Sequence, residues 1–200
     1  MNIAEMERVN YALQIIYAIM RKRDPYTARH QIRVTRLAAE IAREMGMPEF
    51  TIESIRLTSS IHDIGKINIP FEILNRPSTL SEAEFALVQT HTGLGYEFLS
   101  PLVFPWPVAE IVLQHHERLD GSGYPRKLTG EAIMPEARVL AVADVIEAMA
   151  THRPYRPALG MERALEEVTS LSGIRYDGEA VAAAIRLLLI KNFSLNEITE

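Results

Sequence analysis

Apolar residues recur along most of the chain at the spacing of an α-helix, with polar residues filling the positions between them. At the N-terminus Met6, Val9, Leu13, Ile16 and Met20 stand in steps of three and four, the seam of a helix that packs on another helix. Pro25 ends it, so residues 1–23 read as an amphipathic unit that either packs on its own domain or serves as a linker or dimerisation helix. Ile32, Leu37, Ile41 and Met45 then continue the helical rhythm until Gly46 and Pro48 stop it. A helix follows from about Phe50 to His62, residues 67–80 read as loop around Pro70 and Pro77, and Ser81 with Glu84 forms a capping box that opens a helix reaching about Leu99. Pro101, Pro105 and Pro107 interrupt the chain before a helix that ends at His115-His116. After a glycine-rich loop at 120–130 come helices from about Pro135 to Ala150, at 161–172 and at 178–192. No alternating strand pattern exceeds four residues and nothing repeats. The pattern predicts an all-α fold, a single domain of seven or eight helices.

Composition narrows the chemistry. With 200 residues, 48% hydrophobic and 24% charged, the chain is long and apolar enough to bury a real core. Glu5, Glu7 and Arg8 interrupt the start where a secretory signal needs an apolar run, and no apolar stretch approaches the ~18 residues of a membrane span. The expected location is cytoplasmic, without membrane insertion. A net charge of -5 argues against a nucleic-acid polymer as partner. The absence of Cys removes disulfides and thiolate metal sites together, leaving any metal to His and carboxylate. Only five of the 26 acidic residues are Asp; the many Glu read as helix surface, so each Asp poses a question.

Five of the six His and two of the Asp share one character: His30, His62-Asp63, His91, His115-His116 and Asp144 all lie within or at the end of a predicted helix. One such His alone is more often a core or surface residue than a ligand. Adjacent pairs change this, because helical neighbours point ~100° apart and can serve two different metals. Buried polar pairs at helix contacts are the alternative reading. Imidazole and carboxylate together suit Fe, Mn, Zn or Co, and a carboxylate that bridges two ions ~3.5–4 Å apart is a usual two-metal arrangement, for which Asp63 is the natural bridge. Two such ions lower the pKa of a shared water, so that hydroxide is available to attack a phosphate ester at neutral pH.

Two further segments stand near this set. In Asp120-Gly121-Ser122-Gly123-Tyr124-Pro125 the glycines let backbone approach a ligand and Tyr124 offers a ring face or a hydroxyl, although such a loop is also an ordinary turn. Arg153 and Arg156, stiffened by Pro154 and Pro157, bring two guanidiniums that fork onto phosphate oxygens, or else form a solvated basic turn. His152 carries no assigned role.

His62-Asp63-Ile64-Gly65-Lys66 with Ile69-Pro70, His115-His116-Glu117 through to Tyr124-Pro125, Arg153 to Arg156, and His30 with Arg33 resemble the signatures of the HD-GYP domain. This is the subgroup of the HD phosphohydrolase superfamily that hydrolyses the bacterial second messenger cyclic di-GMP, and the correspondence runs from about Asp24 to Leu189. The resemblance implies an HD-type helical bundle over 24–200 and a metal-dependent phosphodiesterase that yields pGpG, with pGpG or GMP as the final product. It implies one divalent ion on His30, His62, Asp63 and Asp144 and a second on Asp63, His91, His115 and His116, with Fe or Mn foremost and Zn, Co and Ni as further candidates. Lys66 would lie beside the scissile phosphate, Gly123 and Tyr124 against the nucleotide, and Arg153 and Arg156 on its phosphates. The implied partners are a second copy through the N-terminal helix, a receiver or sensory domain, and a diguanylate cyclase. Two positions depart from the family pattern. Tyr26 stands where some members place a Glu that holds a third metal, which favours two ions here, with Asp24 close by; Lys127 stands where Gly is frequent. An HD hydrolase of another nucleotide or phosphoester, and a module that senses cyclic di-GMP without cleaving it, are the alternatives.

Overall fold

A computed structural model describes residues 14–16, 18, 19, 22, 24–152 and 158–195. Among the described residues nine α-helices are bounded, in chain order: α1 Pro25–Glu44, α2 Glu49–Ile61, α3 Phe71–Leu74, α4 Glu82–Gln89, α5 His91–Leu99, α6 Val108–Gln114, α7 Pro135–Ala150, α8 Met161–Ser170 and α9 Gly178–Ile185. There is no strand among the described residues, only two isolated bridges, Asp120 with Thr129 and Ser172 with Tyr176. The all-α expectation holds, and no described helix is long and apolar enough to cross a membrane.

The helix starts follow from local chemistry. Asp24 caps α1, its carboxylate accepting from the backbone N–H groups of Tyr26 and Thr27, with Pro25 at the first helical position. Asp177 caps α9 through Glu179 and Ala180 in the same way. Ser81 and Glu84 form the reciprocal capping box at α4. The main core lies where α1, α2, α7, α8 and α9 meet, around Leu37, Ile41, Ile55, Leu140, Ile146, Val168 and Val181. α7 buries residues on most of its turns and is the central helix, which brings Asp144 inside. A second cluster of Ile61, Ile64, Leu99, Val108 and Val112 joins the end of α2 to α5 and α6, with Trp106, Leu57 and Ile16 packed on it. Of the predicted N-terminal seam only Ile16 is among the described residues, and it rests on this second cluster, while Ile15 and Ile19 stay exposed.

Three expectations change. The segment read as loop over 67–80 carries α3 and the end of a 3-10 turn at Ile64–Asn68. The helix expected from Ser81 to Leu99 is two helices broken at Thr90. There the Thr90 hydroxyl donates to the carbonyl of Leu87 at 2.6 Å and the His91 ring to that of Val88 at 2.7 Å, so side chains take the last carbonyls of α4. The last helix gives way after Ile185 to a π turn at Arg186–Ile190. The short α3 and the break at Thr90 raise the count above the seven or eight expected.

Candidate metal centre

His30 comes from α1, His62 and Asp63 from the end of α2, His91 from the first residue of α5, His115 and His116 from the end of α6, and Asp144 from α7. A helix end leaves its last carbonyls without intrahelical donors. Three of the histidines supply the missing donor: Nδ1 of His62 donates to Ser59 O at 2.7 Å, that of His91 to Val88 O at 2.7 Å and that of His115 to Val112 O at 2.6 Å. A carbonyl only accepts, so Nδ1 holds the proton in each case and the Nε2 lone pair is left to face the centre. The helix terminus thus sets the tautomer that metal binding needs.

The donor atoms gather in three overlapping groups, each within 4.8 Å of one another: His30, His62 and Asp144; His91, His115 and His116; and His62, Asp63 and His115. Asp63, with no exposed surface, lies between the first two. Its Oδ2 is 3.5 Å from His62 Nε2 and 3.9 Å from His30 Nε2, while its Oδ1 is 3.4 Å from His91 Nε2. One carboxylate therefore turns an oxygen toward each group, as a bridge must. His62 Nε2 and Asp63 Oδ1 are buried and have no hydrogen-bond partner, which is costly for polar atoms unless a cation is to be held there. The donor set fits divalent metal ions, which these His and Asp groups could hold.

The electrostatics agree. Burial, with Lys66 nearby, pushes His91 down to about 4, and burial holds His115 well below the usual range, so both stay neutral. For Asp63, burial on its own would raise the carboxyl, but Lys66 and the surrounding imidazoles outweigh it and hold it well below the carboxylate range. His30 shows the opposite balance, burial being overcome by Asp144 and Glu147, which push it up to about 9.

The neighbouring residues fall into place around this set. Lys66 Nζ donates to Asp63 Oδ2 at 2.6 Å. Tyr124 stacks on His116 with ring centroids 4.8 Å apart at 27°. It is held there because Gly123 passes so close that a Cβ would meet His116 O at 2.5 Å, and because the buried Glu117 carboxylate accepts from the backbone N–H groups of Arg126 and Leu128. Lys127 has φ 54°, the left-handed region that favours glycine, which is the physical content of that departure. Asp24 spends its carboxylate on capping and on the Thr27 hydroxyl, and the Tyr26 hydroxyl donates to the carbonyl of His152. Arg153 and Arg156 lie outside the described residues.

A family model described as the HD domain matches residues 14–180. The chain belongs to the HD domain family. Among characterised relatives this HD domain is 43% identical over 177 residues to a cyclic di-GMP phosphodiesterase of Thermotoga maritima, covering 88% of the chain and 48% of the relative. It is 34% identical over 160 residues to a 3'3'-cGAMP-specific phosphodiesterase of Vibrio cholerae, covering 80% of the chain and 37% of the relative. The chain thus spans less than half the length of either. Among solved structures, the HDGYP protein Bd1817 of Bdellovibrio bacteriovorus superposes with a TM-score of 0.69 at 20% identity, over 92% of this chain and 61% of that one, which bears on fold alone.

The HD domain also uses a residue that sequence reasoning missed. Glu147, wholly buried, accepts from His30 Nδ1, from Arg33 Nε at 2.6 Å and from the Thr151 hydroxyl at 2.9 Å. The signal available in the sequence was its spacing: Glu147 stands three residues after Asp144, as Arg33 stands three after His30, so that each pair shares a helix face.

Proposed function

We propose that this HD domain is a metal-dependent phosphodiesterase that hydrolyses cyclic di-GMP to linear pGpG, with pGpG or GMP as the final product. The observation that carries the reading is Asp63, buried with one oxygen turned to each of two imidazole-rich groups. His30, His62, Asp63 and Asp144 would hold one divalent ion and Asp63, His91, His115 and His116 the other, with Fe or Mn as the metal. Such a pair supplies a water acidic enough to be a nucleophile at neutral pH and offsets charge on the phosphate.

The chain's own residues do the rest. Asp63, kept ionised by Lys66 and the surrounding imidazoles, would offer one oxygen to each ion. The Lys66 ammonium, 21% exposed at the edge of the centre and 2.6 Å from Asp63 Oδ2, would lie beside the scissile phosphate and stabilise the charge that grows on its oxygens. Tyr124, fixed against His116, presents a ring on which a purine can stack, and Gly123 lets the backbone approach. Arg153 and Arg156 would clamp the phosphates. The activity is proposed for a cytoplasmic protein that pairs with a second copy through the N-terminal helix and takes its signal from a receiver or sensory domain or a diguanylate cyclase.

A second reading keeps the chemistry and changes the substrate to 3'3'-cGAMP, which the name of the Vibrio relative supports. One experiment tests both. Purified chain loaded with Fe(II) or Mn(II), under anaerobic and aerobic conditions, is incubated with each dinucleotide and the products are separated by anion exchange. Linear pGpG formed faster than linear product from cGAMP supports the first reading, and the reverse order supports the second. No cleavage of either dinucleotide with either metal would overturn the phosphodiesterase assignment.

A further inference from the structure

The three histidines at helix ends lean on neutral backbone carbonyls, whereas His30 leans on a buried carboxylate. Glu147 has no exposed surface, and its two oxygens are fully engaged: Oε2 receives His30 Nδ1, and Oε1 receives Arg33 Nε at 2.6 Å, Arg33 Nη2 at 2.5 Å and the Thr151 hydroxyl at 2.9 Å. None of these contacts points into the metal centre, so Glu147 acts on it only through His30. The Arg33 guanidinium meets the carboxylate through both Nε and Nη2, a fork of two charge-assisted contacts that matches an anionic Glu147. An anionic acceptor at Nδ1 makes the opposite ring nitrogen a stronger donor than a carbonyl acceptor does. The two ligand groups differ in a second respect. Asp144 Oδ1 lies 3.1 Å from His30 Nε2 and gives that group a carboxylate of its own, whereas His91, His115 and His116 are three imidazoles.

We infer that Glu147 is a positioning residue that makes the two ion positions unequal, so that the position formed by His30, His62 and Asp144 fills before the one formed by His91, His115 and His116. This rests on the two-ion reading proposed above. Both differences act in the same direction, since a divalent cation gains more from carboxylate and from a carboxylate-backed imidazole than from three imidazoles, of which His91 and His115 are backed only by neutral carbonyls.

The test is a calorimetric titration of the chelator-stripped chain with Mn(II), with bound metal counted by elemental analysis. The wild type should bind two ions in two resolved steps. Glu147→Gln keeps an acceptor for His30 Nδ1 but removes the charge; it should weaken the tighter step about 10–100-fold and leave the weaker one within about threefold. His91→Ala should abolish the weaker step alone. Because Glu147→Gln leaves Arg33 buried without its partner, the pair Arg33→Gln/Glu147→Gln, which strands no charge, repeats the measurement and should show the same selective loss. If both steps keep their affinity in these variants, or both weaken equally, the role of Glu147 is overturned. Loss of the tighter step in His91→Ala would overturn the order of filling. A wild type that binds fewer than two ions would overturn the two-ion reading itself.

Discussion

Replacing Gly65 by alanine tests whether the close contact between the Ile64–Asn68 turn and α5 sets the ligand geometry. A Cβ on Gly65 would sit 1.9 Å from the carbonyl oxygen of His91, 2.6 Å from the amide of Gly95 and 2.8 Å from the carbonyl carbon of His91. These are backbone atoms, which cannot swing aside as a side chain can. A carbon needs about 3.3 Å from a carbonyl oxygen, so the turn and the start of α5 must part by roughly 1.4 Å. The same two pieces carry Asp63 and His91, whose facing atoms are now 3.4 Å apart, and metal sites tolerate ligand errors of only about 0.2 Å. Gly65→Ala should therefore lose ion binding at the position that uses His91. Overpacking against rigid backbone costs about 3 kcal/mol, the upper end of the usual range, and at about 2–4 °C per kcal/mol for a chain of this size Tm should fall by about 6–12 °C. Gly93 is the internal control: it lies in α5 with nothing within 4 Å of its would-be Cβ, and Gly93→Ala should raise Tm slightly, since alanine is worth about 0.5–1 kcal/mol over glycine in a helix. Thermal melts by circular dichroism and metal counts after Mn(II) loading read both effects. A Gly65→Ala protein that melts within about 2 °C of wild type and carries its full metal complement would refute the argument.

Asp63→Ala removes the carboxylate shared by both groups and should lower metal content as well as turnover; retention of two ions after gel filtration would show that Asp63 is no bridge. Lys66→Ala should keep its metal and slow cyclic di-GMP hydrolysis about 10²–10³-fold, and unchanged turnover would remove Lys66 from the chemistry. In the chelator-stripped chain His91 and His30 act on opposite sides of the ordinary histidine value of about 6.5. With His91 pushed down to about 4, the unfolded chain takes up a proton there that the folded chain refuses, so stability falls as pH drops from about 6.5 toward 4. With His30 pushed up to about 9, the folded chain keeps a proton that the unfolded chain releases, and that share of stability is lost as pH rises through about 9. Urea midpoints should peak between pH 6 and 7, and a profile rising or falling steadily across the range would contradict the charge states assigned to these two rings.

How far the sequence could be read differs by residue. His62-Asp63 and His115-His116 were visible as neighbours at helix ends, and the structure adds the reason they work, the orphan carbonyls that orient the rings. The rarity of Asp was also a usable clue. Asp24 and Asp177 cap helices, Asp120 turns a loop by accepting from the amide of Ser122, and the remaining two, Asp63 and Asp144, join the histidine groups that could hold a metal. Glu147 was hidden by the opposite circumstance, one buried Glu among many that decorate helix surfaces. Only the crossing of α1 over α7 brings it to His30 and Arg33, and local pattern carries no such information. The break at Thr90 escaped for a related reason. The Ser81 capping box marks where α4 begins, but its end depends on side chains that compete for the carbonyls of Leu87 and Val88. The backbone at Lys127 illustrates a third limit, since its left-handed conformation is imposed by a loop pinned to Glu117 and not by the residue that occupies it.

Trp106 is the only tryptophan in the chain. Its ring lies 5.4 Å from that of Phe50 and it packs on the same cluster of apolar residues as Ile16. Its emission is therefore a built-in optical reporter for the seat of the N-terminal helix. Withdrawal of Ile16 would uncover part of the cluster on which the indole packs and shift the emission to the red. A signal arriving from the N-terminal side could thus be followed in the unlabelled protein and in real time.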